Sequence, residues 1–361
     1  MKKLFLCVAA AGLLAMSSVG EAADRWGLKE GSPELRSAVA LAFGPDGILF
    51  VGDARAAAVL AIDTEDTKSR SDVAAVNIEQ INTQVAGLFD SPGARIIDLA
   101  VNPLSGNVYL SVATSKTAAL VRINDAGKLS RMSLTGVRFS RVELPGAPED
   151  KVVRRGRRES NRRDDAVTDL AWIDGKVLIS GLSGAQSAVR KVDFPFVAAD
   201  SGSSIEIFHG AHGRSEDYSA IRTFVPFNIN GKPSLLAGYV CTPLVKFPLD
   251  GLKAGQKTQA TTIAELGNRN RPLDMIVYEK DGQEWLLLSN SARGIMKIST
   301  KDIAKNPGIT ERVGGGGVAG QPYETVDWKN VVQLDKRGTA HAVILVQADE
   351  AHQHLQTVAL P

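Results

Sequence analysis

Cysteine is nearly missing from this chain, whose 361 residues include Cys7 and Cys241 and no other. Cys7 lies in an N-terminal stretch that we expect to be removed, so the mature chain cannot form an internal disulfide. The sequence Cys-x-x-Cys-His is absent, which excludes a covalently attached haem of the usual c type. Gly-x-Ser-x-Gly is absent as well, which argues against the nucleophile elbow of the α/β-hydrolases.

Charge of one sign and long apolar runs are also lacking. The formal net charge is +2, which gives no indication of nucleic-acid binding, and 6% of the residues are aromatic. No stretch after the N-terminus approaches the 18 or so apolar residues that a membrane-spanning helix needs. By contrast, 34 glycines and 44% hydrophobic residues are present. This composition is typical of a globular β protein with many turns.

The N-terminus has the pattern of a secretory signal. Lys2 and Lys3 precede the apolar run from Leu4 to Met16, and small residues follow up to Ala22. Such a pattern predicts a signal peptide over residues 1–22 and a periplasmic or secreted mature protein without a membrane anchor.

Six segments of the chain consist of an apolar strand, a turn rich in Gly, Asn or Asp, and a second apolar strand. Alternation with period two within each segment is typical of half-buried strands. Aligning the segments places one residue of each in a column, and these residues are Ala40, Asp98, Asp169, Arg222, Asp274 and Asp327. The intervals between them, 52 to 71 residues, suit one four-stranded sheet per repeat.

We therefore predict an all-β chain in which residues 24–361 form one six-bladed β-propeller with four-stranded antiparallel blades. The alternative is a seven-bladed ring with a divergent blade in residues 125–165. The last repeat is one strand short, so we expect residues 24–35, or a strand just beyond them, to complete it. In a propeller, the loops that precede each first strand and follow each second strand meet on one face, where we expect the site.

The aspartate column predicts one possible metal site. Carboxylate and amide oxygens are ligands of hard cations, so the residues of a Ca²⁺ site would be Asp98, Asp169, Asp274, Asn290 and Asp327. The alternative is structural: each carboxylate caps turn amides or pairs with an arginine of a neighbouring blade.

The fourth repeat breaks the symmetry and predicts a second possible site. His209, His212 and Cys241 offer nitrogen and sulfur ligands for Zn²⁺ or Cu. His212 is also our candidate for a general base. The alternative is that Cys241 is a small apolar filler.

Arginines predict where an anionic ligand would bind. Residues 154–163 hold six of them, within an insertion at about 150–165. The guanidinium fork suits phosphate or carboxylate groups. Our candidate ligand-binding residues are Arg154, Arg155, Arg157, Arg158, Arg222, Tyr239, Arg271 and Arg293. The alternative for the insertion is a solvated loop.

The segment from Phe43 to Asp53, followed by Ala58 to Asp63, resembles the repeat of NHL-type and gluconolactonase-like six-bladed propellers, and so does the segment from Val177 to Val192. The resemblance implies a propeller fold. Enzymes of the gluconolactonase-like group hold a divalent cation with Glu, Asn and Asp residues at the mouth. The residues here that match this set are Asp274, Asn290 and Asp327, and Ala40 stands in the column where a Glu could have been offered.

Three hypotheses about function follow. The first is an exported binding or scaffold protein that holds a small ligand or a protein partner at the channel mouth. The second is a divalent-metal-dependent hydrolase or lactonase that uses the carboxylates, in which the metal lowers the pKa of its bound water. The third is a periplasmic metal-binding accessory to a redox enzyme, which uses the histidines and Cys241.

Overall fold

The computed structural model describes residues 26–70, 74–115 and 117–361. The predicted signal peptide, residues 1–22, lies outside the described residues. The chain is a six-bladed β-propeller, as the repeats predict. Its described strands form six mainly antiparallel sheets and one separate hairpin.

The first three blades contain most of the irregular features. Blade 1 is formed by β2 (Ala40–Phe43), β3 (Ile48–Asp53), β4 (Ala58–Asp63), β9 (Val137–Glu143) and β1 (Lys29–Gly31). Blade 2 is formed by β5 (Arg95–Val101), β6 (Val108–Ala113), β7 (Ala118–Ile123) and β8 (Leu129–Arg131). Blade 3 is formed by β12 (Asp169–Ile173), β13 (Lys176–Ser183), β14 (Gln186–Asp193) and β15 (Ser203–His209), with β16 (Arg214–Glu216) and β20 (Lys257–Gln259) on its outer strand.

The other three blades follow one another in sequence. Blade 4 is formed by β17 (Thr223–Ile229), β18 (Lys232–Gly238), β19 (Pro243–Pro248), β21 (Thr261–Leu266) and β25 (Val318–Gly320). Blade 5 is formed by β22 (Pro272–Lys280), β23 (Gln283–Asn290), β24 (Gly294–Ser299) and β26 (Tyr323–Val326). Blade 6 is formed by β27 (Val331–Arg337), β28 (His341–Gln347) and β29 (Gln353–Ala359).

Helices are few in the described ranges. The α-helix α1 (Ile81–Leu88) precedes blade 2, and short 3-10 turns lie at Pro45–Gly47, Arg162–Asp165 and Ile303–Lys305. None of the helices in the part of the chain that the structure describes has the length and apolarity needed to cross a membrane.

The blades do not follow one another around the ring in sequence order. The innermost strands contact one another in the order β2, β12, β17, β22, β27, β5 and back to β2. Six apolar clusters agree, because each lies between two blades that are neighbours in this order. Blade 2 therefore lies between blades 1 and 6, and the chain reverses its direction around the ring once.

The reversal changes how the ring closes. We expected residues 24–35 to complete the last blade, but β1 pairs with β9 at the edge of blade 1. The edge of blade 6 is instead met by Ile78, whose amide and carbonyl bond to Leu355 at 2.9 Å or less. Ile81 and Val85 of α1 pack into the same apolar cluster. The reason is positional: blade 1, whose edge β1 joins, is not a neighbour of blade 6.

A buried polar network fixes the segment that makes this crossing. The carboxylate of Asp66, which is 4% exposed, accepts hydrogen bonds from Ser105, Asn107 and Tyr109 of blade 2 and from the Arg122 guanidinium. Buried carboxylates are tolerated when their oxygens are bonded in this way. The network therefore holds residues 64–70 against the end of blade 2 where β5 turns into β6. This end lies on the face of the propeller opposite the predicted site.

Candidate functional site

Four carboxylates line the central channel, a cavity of about 410 Å³, and we call Asp98, Asp169, Asp274 and Asp335 the aspartate ring. Each accepts a backbone amide of the neighbouring innermost strand. The donors are Leu41 to Asp98 at 2.7 Å, Phe224 to Asp169 at 2.8 Å, Leu334 to Asp274 at 2.8 Å and Val101 to Asp335 at 2.7 Å. These bonds link adjacent blades, so the carboxylates help to hold the blades of the propeller together.

The four side chains of the aspartate ring are half-buried, and their charges face one another across the channel. Burial, and next the charge of Asp169, raise the pKa of Asp98 to about 8. Burial raises the pKa of Asp169 to about 7 and that of Asp335 to about 6. Burial and the charge of Asp98 raise the pKa of Asp274 well above its usual value. At neutral pH the protonated form is therefore favoured at Asp98 and Asp274, whereas Asp335 is mostly ionised.

Two residues predicted for the Ca²⁺ site lie elsewhere. Asp327 is in the loop before β27, with its side chain 86% exposed and paired with Lys329. Asn290 ends β23, and its Oδ1 accepts the amides of Ala292 and Arg293 at 3.0 and 3.2 Å. Asp335, which the repeat alignment missed, is the fourth member of the ring. It lies two residues beyond Gln333, which follows the β-bulge of blade 6 as Asp98 and Asp274 follow the bulges of blades 2 and 5. The aligned position in blade 4 is Thr223, since Arg222 immediately precedes β17.

The second predicted site lies on the outer rim of the same face, at the turn between β15 and β16. His209 continues the buried face of β15 formed by Ile205 and Ile207, and is 4% exposed. The amides of His212 and Gly213 donate to the His209 carbonyl at 3.0 and 2.8 Å, which forms a tight turn. The turn stacks the two imidazoles, with ring centroids 3.8 Å apart.

A carboxylate from β16 joins the two histidines. Glu216 lies diagonally across the strand pair from His209, and its Oε2 is 3.1 Å from the His209 Nδ1. Its Oε1 is 2.8 Å from the His212 Nδ1 and accepts from the Arg214 guanidinium at 2.9 Å. Single ligand atoms of His209, His212 and Glu216 lie within 4.8 Å of one another. This is the spacing of a potential metal site.

The contacts of Glu216 determine which of its own atoms and those of His209 carry protons. Burial alone would raise the pKa of Glu216, but hydrogen bonds from Arg214, His212 and His209 outweigh it and lower the pKa to about 2. Burial lowers the pKa of His209, so this imidazole is neutral at pH 7. An ionised carboxylate accepts hydrogen bonds only, so the Nδ1 of His209 carries the proton and its Nε2 carries a lone pair.

A second carboxylate approaches from blade 4. Glu265, near the end of β21, is 0% exposed, and its Oε1 accepts the Gly210 amide at 2.5 Å. Burial raises its pKa to about 7. Within the described part of the chain, neither the Nε2 of His209 nor the Oε2 of Glu265 has a hydrogen-bond partner. We call His209, His212, Glu216 and Glu265 the rim cluster.

Cys241 is not part of the group of close ligand atoms. It follows β18 in a turn, with φ of 62°, and its amide donates to the Asn270 carbonyl at 3.0 Å. The structure thus brings His209 and His212 together with Glu216 rather than with Cys241. Glu216 lies four residues after His212, so its proximity to the histidines could have been inferred from the sequence. Glu265 is a single acid at the end of an apolar strand, and nothing in the sequence distinguishes it.

The arginine insertion forms a separate hairpin of β10 (Val152–Arg155) and β11 (Arg158–Asn161). It contains the predicted Arg155 and Arg158, and Arg157 is exposed at its tip. Arg154 pairs with Glu159 in the hairpin. At the base, Asp150 accepts from Arg36 and Arg55 at 3.1 and 3.2 Å, which ties the hairpin to blade 1.

The other predicted ligand-binding residues have separate environments. Arg222 is half-buried and donates to Asp165 at 2.7 Å. The Tyr239 hydroxyl is buried 3.4 Å from that of Ser187, and burial raises its pKa above the usual range. Arg271 is exposed before β22. Arg293 lines a cleft between blades 5 and 6.

Comparison with protein-family models gives no match, and comparison with curated proteins gives none either. Among solved structures, an oxidoreductase (glucose dehydrogenase) from Thermus thermophilus is 10% identical over 92% of this chain and 100% of its own, with a TM-score of 0.36. A streptogramin B lyase is 9% identical over 93% and 99%, with a TM-score of 0.37.

A third similar structure is the PQQ-bound aldose sugar dehydrogenase from Streptomyces coelicolor, which is 10% identical over 92% of this chain and 96% of its own, with a TM-score of 0.29. No activity is carried over from proteins at such identities. The propeller fold follows from the strand pairing described above.

Proposed function

We propose that the protein is a binding protein whose ligand is a divalent transition-metal ion, held by the rim cluster. The observation that supports this is a buried, neutral imidazole nitrogen and a buried carboxylate oxygen, neither of which has a partner among the described residues. Unpartnered buried polar atoms are costly and rare, and a bound ion is one explanation for them. An ion held by His209, His212 and Glu216, whose ligand atoms lie within 4.8 Å of one another, would take the lone pair of the His209 Nε2.

The donors favour a particular class of metal. Two imidazoles and one or two carboxylates suit Zn²⁺ or Cu²⁺ better than Ca²⁺, which takes oxygen ligands. His209 is already neutral, so binding there does not have to expel a proton. The His212 side chain is 43% exposed, which gives an ion a path from solvent.

The charge of the rim cluster predicts how binding depends on pH. Arg214 offsets the charge of Glu216. Glu265 bonds to the Gly210 amide in the turn between the two histidines, and burial raises its pKa to about 7, so its ionisation adds a negative charge near the ion. Metal affinity should therefore increase as the pH rises from 6 to 8. The variant Glu265→Gln should show a weaker dependence, the remainder being the competition of protons for the imidazoles.

The test is calorimetric titration of the metal-free protein with Zn²⁺ and with Cu²⁺. We expect one equivalent to bind, and binding to weaken at least about tenfold in His212→Ala, a loss of roughly 1.4 kcal/mol. His352→Ala is the matched control, because His352 is also exposed and paired with a carboxylate, that of Asp349. Cys241→Ser should bind as the wild type does.

Two results would overturn the proposal. One is that neither metal binds to the wild type. The other is that His212→Ala and Glu216→Gln both bind the metal as tightly as the wild type does. Loss of binding in Cys241→Ser would instead indicate the ligand set first predicted from the sequence, His209, His212 and Cys241. Circular dichroism of each variant shows whether it is folded, so that loss of a ligand is distinguished from loss of the propeller.

We also propose that the mature protein acts outside the cytoplasm. The N-terminal residues support this, since a basic start, a short apolar run and small residues precede Ala22. Intact-mass measurement of the protein from fractionated cells tests it. A chain starting near Ala23 in the periplasmic fraction supports export, whereas a chain starting at Met1 in the cytoplasm contradicts it.

A further inference from the structure

The hairpin of β10 and β11, which we call the arginine hairpin, has two open edges. It pairs with no other described strand, so on the outer side of each strand alternate residues direct their amide and carbonyl groups away from the hairpin. An isolated two-stranded hairpin is at best marginally stable in water, and a third strand is one means of stabilising it. An extended peptide can add to such an edge through backbone hydrogen bonds.

The excess positive charge of the protein is concentrated at this hairpin. Residues 151–163 carry seven basic side chains and one acidic side chain, whereas the whole chain has a formal net charge of +2. The rest of the chain is therefore net negative. The one acid of the segment, Glu159, pairs with Arg154 and leaves the other cations without an acidic neighbour in the segment. A strong local charge of one sign favours a partner of the opposite sign.

The carboxylates that flank the hairpin do not neutralise its charge. Asp150 and Asp164 pair with arginines of blade 1 that lie outside the segment. Asp165 accepts from Arg222, which precedes blade 4, at 2.7 Å. These acids fix the base of the hairpin to the propeller, so their charges are already offset by other residues.

The cations of the segment are accessible to a ligand. Lys151 and Arg157 are exposed, and no carboxylate in residues 26–70, 74–115 and 117–361 pairs with either of them. Arg162 is exposed as well, and it donates to the neutral carbonyls of Ala185 and Tyr218 at 2.9 and 3.3 Å. Its charge is therefore not offset by these contacts.

An apolar hollow of about 370 Å³ lies at the base of the hairpin. The apolar residues that line it are Ala147, Pro148, Val153, Gly184 and Ala185. Lys151 and Arg162 line the same hollow, and Glu149 adds one acid. Two accessible cations and an apolar surface therefore belong to one cavity, which borders the strand β10.

Two consecutive valines of β10 are exposed to solvent. Val152 is 55% exposed and Val153 is 42% exposed. Consecutive residues of a strand point to opposite faces, so neither face of the hairpin is covered at this point. Exposed apolar surface beside charged groups is typical of an interaction site.

We propose that the arginine hairpin docks an extended, acidic segment of a partner protein, which adds as a third strand along β10. Acidic side chains of the segment meet Lys151, Arg157 and Arg162, and an apolar side chain enters the hollow beside Val153. The edge is that of β10, because Val153 of this strand lines the hollow. Anionic lipid headgroups would meet the cations but would leave the strand edge unpaired. The docking site does not depend on the rim metal.

The test is titration of a fluorescein-labelled peptide with the protein, measured by fluorescence anisotropy. In the peptide, glutamate and valine alternate over about eight residues, which span the strand at roughly 3.3 Å per residue. One control peptide has glutamine in place of glutamate, and a second has the same side chains on a fully N-methylated backbone. We expect each control to bind at least about tenfold more weakly, because the first lacks the charge and the second cannot donate to the strand edge.

Variants of the protein localise the binding. Lys151→Glu combined with Arg157→Glu should weaken binding of the acidic peptide at least about tenfold. The matched control is Lys232→Glu combined with Lys301→Glu, which changes the net charge equally at two exposed lysines outside the segment. Val153→Ser tests the hollow and should weaken binding by about threefold, since it removes apolar surface.

The proposal is overturned if the acidic peptide does not bind at millimolar concentration, or if either control peptide binds equally well. Equal losses in the two double variants would show that binding follows the net charge, and would likewise reject the site. Circular dichroism shows whether each variant is folded, and Arg157→Glu alone replaces the double variant if that is not.

Vesicles that contain phosphatidylglycerol distinguish the other source of negative charge. Sedimentation of the protein with these vesicles, together with no binding of the acidic peptide, would assign the hairpin to a membrane surface and reject a protein partner. Binding of the peptide that is lost in Lys151→Glu combined with Arg157→Glu supports the proposal.

Discussion

The aspartate ring and the rim cluster use the same chemical groups in opposite ways. In the channel, each carboxylate accepts an amide of the neighbouring blade, so its hydrogen-bonding capacity is spent on the structure. At the rim, the Nε2 of His209 and the Oε2 of Glu265 are buried without partners among the described residues. Carboxylates near the axis therefore do not by themselves locate a site. Unused hydrogen-bonding capacity beside a group of close ligand atoms is the better indication.

Removing a carboxylate of the aspartate ring should have the strongest effect on stability. Asp98→Ala removes the acceptor of the Leu41 amide and that of the Leu99 amide. Leaving these half-buried donors unpaired should lower the free energy of unfolding by about 2–4 kcal/mol. Asp327→Ala is the control, because Asp327 came from the same repeat alignment but is exposed, and it should leave the unfolding free energy unchanged. Urea denaturation measures both, and equal losses would contradict the structural role of the ring.

A second effect is a fall in stability with increasing pH. Burial raises the pKa of Asp98 to about 8 and that of Asp169 to about 7 in the folded protein, above the ordinary 3.8 of the unfolded chain. Their contribution is fully present below pH 3.8 and is lost as the pH rises through the folded values. The urea midpoint should therefore fall as the pH rises from about 5 to 8, and less steeply in Asp169→Asn. A midpoint that rises over this range would refute the ring as its source.

A smaller effect is expected at the rim. In Glu265→Gln, a neutral amide can still accept the Gly210 amide, while the buried charge that exists above pH 7 is removed. The metal-free variant should be more stable than the wild type at pH 8, by on the order of 1 kcal/mol, and the gain should shrink at pH 5. Thermal unfolding at the two pH values measures this. A loss of stability at pH 8 would mean that Glu265 is a structural carboxylate like those of the ring.

The smallest effect is expected in the arginine hairpin. Arg157 is exposed at its tip, and the two-stranded hairpin pairs with no other described strand. Arg157→Ala should leave the thermal midpoint unchanged, since surface substitutions away from buried contacts rarely matter. A clear drop in the midpoint would show that the hairpin packs as part of the propeller.

The number of blades could be predicted from the sequence because each repeat carries its own apolar alternation and turn residues. The order of the blades could not be predicted. The strand β9 pairs with β4 of blade 1 although all of blade 2 lies between them in the sequence, and no local pattern indicates this pairing. Asp98, Asp169 and Asp274 were found by alignment, whereas Asp335 was missed because it lies two residues beyond the aligned position of its repeat, Gln333. His209 and His212 were found by spacing. Glu265 was not, because its approach depends on the packing of two blades.

The bonds that join Val76 and Ile78 to the last strand, β29, have a consequence for biosynthesis. The Val76 amide bonds to the Thr357 hydroxyl, a partner 281 positions further along the chain. At a translation rate of roughly 5–20 residues per second, that partner is made about 15–55 seconds later. Until then, the apolar side chains of Val76, Ile81 and Val85 have no last blade to cover them. A nascent chain of this protein must therefore be kept from aggregating until its final strand has been synthesised.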